Sequence, residues 1–203
     1  MASDSSELEL KFYIRQLSEL EERLKALGAQ LVQPRTHELN LRFDTPEGDL
    51  TAQRRVLRLR RDQKVWLTYK GPFQPGLAVS ARQEIEFEVS SFNKAKDFLK
   101  ALGYQIYMLY EKYRQVYAVD DVLVMLDELP LGNFAEIEGA DKKAIKKAAG
   151  LLKLEWGARY AVSYVELFNR LKARHGLPAH NLCFDEFQGM QFTPEDMGIT
   201  GAD

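Results

Sequence analysis

The sequence predicts an α+β protein in which a closed eight-stranded antiparallel β-barrel has a charged interior and carries its helices on the outside. Several segments alternate charged and apolar residues with the period of a β-strand. The charged faces repeat like charges at every second position, and the helical segments are few and amphipathic. Eight strands are enough to close a barrel, whose apolar outer surface the helices would then cover.

The strands are predicted from this alternation. Residues 7–12, with the sequence ELELKF, place two glutamates and a lysine on one face and three apolar side chains on the other. Residues 82–89, RQEIEFEV, place an arginine and three glutamates on one face. Further strands are expected over residues 37–43, 55–61, 64–70, 111–119, 122–127 and 134–139.

Four amphipathic helices are predicted between and after the strands. The first shows a capping-box pattern at Ser18 and Glu21, carries leucines at helical spacing and ends at Gly28. The others are expected over residues 91–103, 141–152 and 163–174, and Ser163 with Glu166 forms the capping pair of the last.

Two parts of the chain resemble each other. ELKF at 9–12 matches EIEF at 84–87, and LKALGAQL at 24–31 matches LKALGYQI at 99–106 at the same offset of 75 residues. This spacing predicts two halves with one strand–helix–strand plan. No linker separates the halves, so a single domain is expected over residues 1–175. Residues 176–203 lack periodicity and are expected to form an extended or partly disordered arm.

Composition limits the classes of function. The chain has 203 residues, of which 45% are hydrophobic, and a net charge of −2, which does not favour nucleic acid or an anionic membrane as partner. A single cysteine excludes an internal disulfide and a cysteine-rich zinc site. No apolar run approaches the roughly 20 residues of a membrane span. We therefore expect a soluble, cytoplasmic protein.

The predicted barrel interior carries nearly balanced charge. Its basic members are Lys11, Arg58, Arg60, Lys70, Arg82, Lys112 and Arg114, and its acidic members are Glu7, Glu9, Glu84, Glu86, Glu88, Asp127, Glu136 and Glu138. Like charges on neighbouring positions of one face repel each other unless opposite charges lie among them. A polyphosphate that carries Mg²⁺ or Mn²⁺ offers charges of both signs. Arginine and lysine bind its phosphate oxygens, and carboxylates bind the hard cation.

These residues occur in an order that resembles a known family. Residues 7–11, ELELK, resemble the ExExK signature of the CYTH domain, or triphosphate tunnel metalloenzymes. The rest of the pattern follows as LRLR (57–60), TYKGP (68–72), RQEIEFE (82–88), EKYRQVY (111–117), VMLDELPLGNFAEIEG (124–139) and SYVELF (163–168). The resemblance covers residues 5–170. It is strongest to class IV adenylyl cyclase-like members of a family that also contains thiamine triphosphatases and inorganic triphosphatases.

The resemblance implies roles for the charged residues inside an eight-stranded antiparallel tunnel. The metal ligands would be Glu7, Glu9, Glu136 and Glu138, with Glu136 preferred to Glu138. The triphosphate would be bound by Arg58, Arg60, Lys70, Arg82, Lys112 and Arg114. Lys11 would stabilise the leaving group or assist proton transfer, and Glu86 and Asp127 would hold a second metal or orient a water.

Several functions share these residues. A metal-dependent triphosphatase acting on tripolyphosphate, thiamine triphosphate or a nucleoside triphosphate is our first hypothesis, and a class IV adenylyl cyclase that converts ATP to cyclic AMP is the second. A non-catalytic polyphosphate-binding module and nucleic-acid binding through residues 54–61 are the remaining alternatives. The resemblance also makes a homodimer an option, although the sequence shows no interface pattern.

Overall fold

The computed structural model describes residues 8–72 and 83–203 of the chain. Their eight strands are β1 Leu8–Ile14, β2 Gln30–Asp44, β3 Val56–Arg61, β4 Val65–Lys70, β5 Glu84–Glu88, β6 Gln105–Val119, β7 Val122–Leu129 and β8 Gly132–Gly139. Their α-helices are α1 Leu17–Ala26, α2 Asp49–Ala52, α3 Phe92–Ala101, α4 Lys142–Leu151 and α5 Tyr164–His175. Each predicted strand and helix overlaps an observed one, and the short helix α2 was not predicted.

The eight strands form one antiparallel sheet. Its hydrogen-bonded order is β1-β8-β7-β6-β2-β3-β4-β5, so β1 and β5 are the outer strands. These two strands do not pair with each other within the residues that the structure describes. The α+β class and the eight antiparallel strands are confirmed, whereas the predicted closure into a barrel is not.

The predicted internal repeat is confirmed at the level of whole elements. The helices α1 (17–26) and α3 (92–101) lie 75 residues apart in the chain, and so do the long strands β2 (30–44) and β6 (105–119). Each helix follows one outer strand of the sheet and precedes one of the two central strands. The halves meet where β2 and β6 pair in antiparallel register.

Three helices cover the apolar side of the sheet. Leu20 and Leu24 of α1 and Ile145 of α4 pack with Phe12 and Ile137 of the sheet, and all five are buried. At the other half, α3 packs against β2 and β3. Burial of each large apolar side chain contributes about 1.5–3 kcal/mol, so this side of the sheet holds the helices in place. The charged side of the sheet lies on the opposite face.

The start of α1 differs from the prediction. The helix begins at Leu17 with Gln16 as its N-cap residue, and no side chain caps it. The predicted capping box of Ser18 and Glu21 is therefore wrong, because Ser18 already lies inside the helix. The backbone N–H groups of Arg15 and Gln16 instead donate to the Asp203 carboxylate, at 2.9 and 3.2 Å.

Residues 176–203 pack along two strands. The Leu182 backbone N–H donates to the Leu109 carbonyl of β6 at 2.9 Å, and the Ala202 backbone N–H donates to the Tyr13 carbonyl of β1 at 3.0 Å. Leu182 has no exposed surface. The segment therefore links the ends of β6 and β1, and the domain boundary at residue 175 stays a prediction. Across the described ranges, no helix is both long and apolar enough to span a membrane.

Candidate active site

The strand register gathers the charged side chains on one face of the sheet. Residues directly opposite each other on antiparallel strands share a face. Such pairs on this face are Glu9 with Glu138, Lys11 with Glu136, Arg114 with Asp127, Lys112 with Glu38, and Thr68 with Glu86. We call this side of the sheet the charged face. Two predicted members, Glu7 and Arg82, lie outside the described residues.

The charged face is concave. The Arg58 Nη1 of β3 donates to the hydroxyl oxygen of Tyr110 on β6 at 3.4 Å, although β2 lies between these strands. The Arg114 Nη2 of β6 likewise donates to Glu136 Oε2 on β8 at 2.7 Å, across β7. Neighbouring strands lie about 4.8 Å apart, so contacts across an intervening strand require the side chains to converge.

Asp127 is at the centre of the first group of ion pairs. Its carboxylate accepts hydrogen bonds from Arg114 Nε and Nη2, both at 2.6 Å, and from Lys112 Nζ at 3.1 Å. The Tyr164 hydroxyl, from the first turn of α5, donates to the same carboxylate at 2.8 Å. Asp127 has no exposed surface. Both of its oxygens are thus engaged by groups that it orients.

Lys11 and Glu136 form the adjacent pair. The Lys11 Nζ lies 3.5 Å from Glu136 Oε1 and also contacts the Glu9 carboxylate. Burial lowers the pKa of Lys11, an effect that Glu136 opposes and that Arg114 and Lys112 reinforce. Burial alone would raise the pKa of Glu136, but the positive charges of Lys11 and Arg114 lower it below its ordinary value. The carboxylate therefore stays ionised.

A second group of ion pairs lies on β3, β4 and β5. The Glu86 carboxylate accepts from Arg58 Nη2 at 3.3 Å, from Arg60 Nη2 at 3.4 Å and from the Thr68 hydroxyl at 2.5 Å. Glu38 links the two groups, since it lies 3.8 Å from Arg60 and 3.5 Å from Lys112. The predicted members Arg58, Arg60 and Glu86 are therefore brought together.

The remaining predicted residues lie toward the edge of the face. The Lys70 Nζ is 2.8 Å from Glu84, and Glu88 pairs with Lys64 at 2.7 Å near the outer strand. The Glu9 side chain is 40% exposed, which leaves it open to a ligand from solvent.

Carboxylates on β1 and β8 suit a divalent cation. Glu9 and Glu138 stand directly opposite each other, and Glu136 follows on the same face of β8. Carboxylate oxygens are the ligands that Mg²⁺ and Mn²⁺ prefer. Among the residues that the structure describes, no three His, Cys, Asp or Glu side chains are grouped closely enough to hold a metal. The predicted metal ligand Glu7 lies outside the residues that the structure describes.

Sequence reasoning missed several members of the charged face. Glu38 and Asn40 follow the same alternation on β2 as Arg42, with Leu39 and Leu41 on the opposite side. That alternation was the available signal. It was missed because an acid, an amide and a base in succession do not form the repeated like charge by which the other charged strands were recognised. Tyr164 was also missed, because nothing in a helix start indicates a contact with a distant strand.

The buried carboxylates predict acid lability. The folded-state pKa values of Glu38, Asp127 and Glu136 are all lowered by neighbouring cations, against the effect of burial. Below the ordinary values of 4.5 for glutamate and 3.8 for aspartate, the unfolded chain binds more protons than the folded one. We expect these groups to leave the free energy of unfolding unchanged from pH 7 to about 5 and to lower it progressively as the pH falls further. Urea titrations at several pH values measure this, and a flat profile down to pH ~3 would contradict it.

Fold and site together define a class of protein: an antiparallel eight-stranded sheet, covered by helices on its apolar side, with a concave face of buried, paired charges. The chain belongs to the CYTH domain family, whose model matches residues 5–170.

Individual relatives agree with this assignment. A Methanocaldococcus jannaschii protein provisionally named an adenylate cyclase is 29% identical over 134 residues, which cover 65% of this chain and 75% of that protein. The Aeromonas hydrophila adenylate cyclase CyaB is 29% identical over 136 residues, which cover 64% and 67% of the two chains. A solved Pyrococcus horikoshii structure matches with a TM-score of 0.65 at 29% identity, over 80% of this chain and 98% of that one.

Proposed function

We propose that the protein hydrolyses a triphosphate-bearing small molecule, with Mg²⁺ or Mn²⁺, on the charged face. The observation that supports this most directly is the convergence of four cations with carboxylates on one concave surface. Arg58 and Arg60 pair with Glu86, and Lys112 and Arg114 pair with the buried Asp127 and Glu136. A polyanion alone needs only the cations. The carboxylates of β1 and β8, Glu9, Glu136 and Glu138, fit a ligand that brings its own divalent metal. As part of this proposal, the sheet curls further to enclose the ligand as a tunnel.

The basic residues bind the phosphates in this proposal. Arginine guanidinium and lysine ammonium groups neutralise the phosphate oxygens and hold the triphosphate in line for attack by the nucleophile. We assign this role to Arg58, Arg60, Lys70, Arg82, Lys112 and Arg114. The salt bridges that these cations make with Glu86, Glu38 and Asp127 fix their directions before a ligand binds.

The acidic residues of β1 and β8 bind the metal in this proposal. A divalent cation held by Glu9, Glu136 and Glu138 together with Glu7 would neutralise phosphate charge and lower the pKa of an attacking water. The water oxygen forms a bond to the terminal phosphorus while the bond to the bridging oxygen breaks. The lowered pKa of Lys11 suits its Nζ to supply a proton to that leaving oxygen.

Two of the expected roles change with the geometry. Asp127 has both oxygens engaged by Arg114, Lys112 and Tyr164, so we propose that it positions these cations instead of binding a second metal. Glu86 is held by Arg58, Arg60 and Thr68 and is proposed to do the same for the phosphate-binding arginines. Glu86 is less enclosed than Asp127, with 29% of its side chain exposed, so it also remains our candidate for orienting a water.

An adenylyl cyclase is the second candidate, favoured by the names of the two curated relatives. The same phosphate and metal groups serve both reactions. In the cyclase, the 3′-hydroxyl of ATP attacks the α-phosphorus and pyrophosphate leaves. We rank hydrolysis first because it needs only the groups assigned above, whereas we identify no adenine-specific pocket on the described part of the charged face.

A product assay separates the candidates. The purified protein is incubated with ATP, thiamine triphosphate or tripolyphosphate, each with Mg²⁺ or Mn²⁺, and the products are resolved. Metal-dependent release of orthophosphate without cyclic AMP is the expected result, and the relative rates rank the substrates. Cyclic AMP with pyrophosphate from ATP would establish the cyclase instead. Tight triphosphate binding without any product would indicate a binding module.

A further inference from the structure

Asn40 lies in the middle of the charged face. It follows Glu38 on the same face of β2 and stands opposite Tyr110 of β6 on one side and Arg60 of β3 on the other. Tyr110 in turn accepts a hydrogen bond from Arg58. Asn40 is thus a neutral amide between cations that are proposed to bind phosphate, and it has no exposed surface.

The Asn40 amide makes no hydrogen bond to any residue that the structure describes. Both its Nδ2 and its Oδ1 are buried without a partner. A buried polar group without a partner destabilises the fold, and the large majority of buried side-chain polar atoms in folded proteins are hydrogen-bonded. Such an atom on a ligand-binding face is best explained by a partner that arrives with the ligand.

The neighbouring unpartnered atoms indicate what that partner offers. The Nε atoms of Arg42 and Arg58 are also buried without a hydrogen bond within the described residues. Arg42 follows Asn40 on the same face of β2 and stands opposite Arg58 of β3. The Asn40 Nδ2 and these two Nε–H groups are all donors. Donors from two adjacent strands that lack acceptors call for an anionic ligand with several oxygens.

We propose that Asn40 is a substrate-binding residue whose Nδ2 donates a hydrogen bond to a phosphate oxygen of the bound triphosphate, next to the arginines of β3. This inference rests on the proposed function and adds a neutral contact to the cations already assigned. The arginines and lysines attract the triphosphate over a distance. A short amide whose N–H groups point in fixed directions instead fixes the position of one oxygen. The Oδ1 atom accepts from water that accompanies the ligand.

This role separates two effects that usually change together. Without a ligand the amide is unpartnered, so an apolar side chain of similar size removes a buried polar group that nothing satisfies. The Asn40→Leu variant is therefore expected to be at least as stable as the wild type, with an equal or higher melting temperature. The same change removes a hydrogen bond to a charged ligand, which is expected to weaken tripolyphosphate binding about tenfold or more.

The experiment measures both quantities on the full chain. Titration calorimetry with tripolyphosphate, in EDTA so that no metal-dependent turnover occurs, gives the affinity, and thermal unfolding without ligand gives the stability. Asn169→Leu makes the same chemical change at an exposed position of α5 and is expected to bind as the wild type does. Asn40→Ala serves as a second variant in case leucine does not fit, with the same loss of affinity expected.

The outcomes distinguish this inference from the function on which it rests. Weaker binding at retained or raised stability supports the role of Asn40. Unchanged affinity in both Asn40 variants overturns it while the proposed function stands. A large loss of stability in both Asn40 variants also overturns it, because the amide would then have a structural partner. A wild-type protein that binds none of tripolyphosphate, thiamine triphosphate and ATP overturns the inference and the proposed function together.

Discussion

Replacing Asp127 with alanine is expected to lower the free energy of unfolding by about 3–5 kcal/mol, because it leaves buried cations without their counter-charge. Asp127 is fully buried, and its carboxylate accepts two hydrogen bonds from Arg114 and one from Lys112. Arg114 keeps its contact with Glu136, whereas Lys112 keeps the longer pairing with Glu38 at 3.5 Å. The Tyr164 hydroxyl also loses its acceptor.

Denaturant titration of Asp127→Ala measures this loss. Lys147→Ala is the matched control, since Lys147 pairs with Asp120 at 2.7 Å on the surface, where both side chains are more than half exposed. Exposed pairs of this kind contribute less than about 1 kcal/mol. Equal effects of the two substitutions would show that the Asp127 pairs do not lie in a buried environment.

Replacing Glu9 with glutamine is expected to give the largest loss of activity. Glu9 stands opposite Glu138 at the proposed metal site, and its side chain is 40% exposed. Removing its charge takes one anionic ligand from the metal while the fold remains, because Lys11 keeps its pairing with Glu136. We expect metal-dependent turnover to fall roughly 100-fold or more, and the metal concentration for half-maximal activity to rise.

The control for Glu9→Gln makes the same change away from the charged face. Glu22 is exposed on α1, so Glu22→Gln is expected to retain full activity and metal dependence. Circular dichroism and the melting temperature establish that both variants are folded. Full activity of Glu9→Gln at unchanged metal concentration would remove Glu9 from the ligand set.

The regular part of the fold was predictable because strand alternation is a local pattern. The limits of β2 were not, since the strand begins at Gln30, seven residues before the prediction. Its pairing with β6 is interrupted by register shifts between Leu31 and Gln33 and between Gln33 and Thr36, and the second of these contains Pro34. These shifts break the period of two that the prediction depends on. The start of α1 was predicted wrongly for another reason. The backbone N–H groups of Arg15 and Gln16, which precede the helix, donate to the carboxylate of Asp203, which is distant in sequence.

The candidate site was predictable where charges repeat. A charged face is indicated directly by like charges at alternate positions, such as Arg58 with Arg60 or Glu136 with Glu138. Asn40 does not, because a lone amide on a strand has many ordinary explanations. Its lack of a partner is a property of its surroundings in the folded sheet. The role of Asp127 likewise depends on Tyr164 of α5, which meets it across 37 residues of sequence.

The pairing of β2 with β6 and of β1 with β8 also bears on the rate of folding. Strands that are consecutive in sequence can pair locally as hairpins, as in β3 with β4, β6 with β7, and β7 with β8. The sheet is complete only when residues 30–44 find 105–119 and residues 8–14 find 133–139. Closing such long loops costs chain entropy before the stabilising contacts between the strands can form. We therefore expect folding to be slow. During that search, we expect the lysines and glutamates along the strand faces to disfavour wrong strand pairing, so the residues proposed to bind substrate would also protect the unfinished sheet from aggregation.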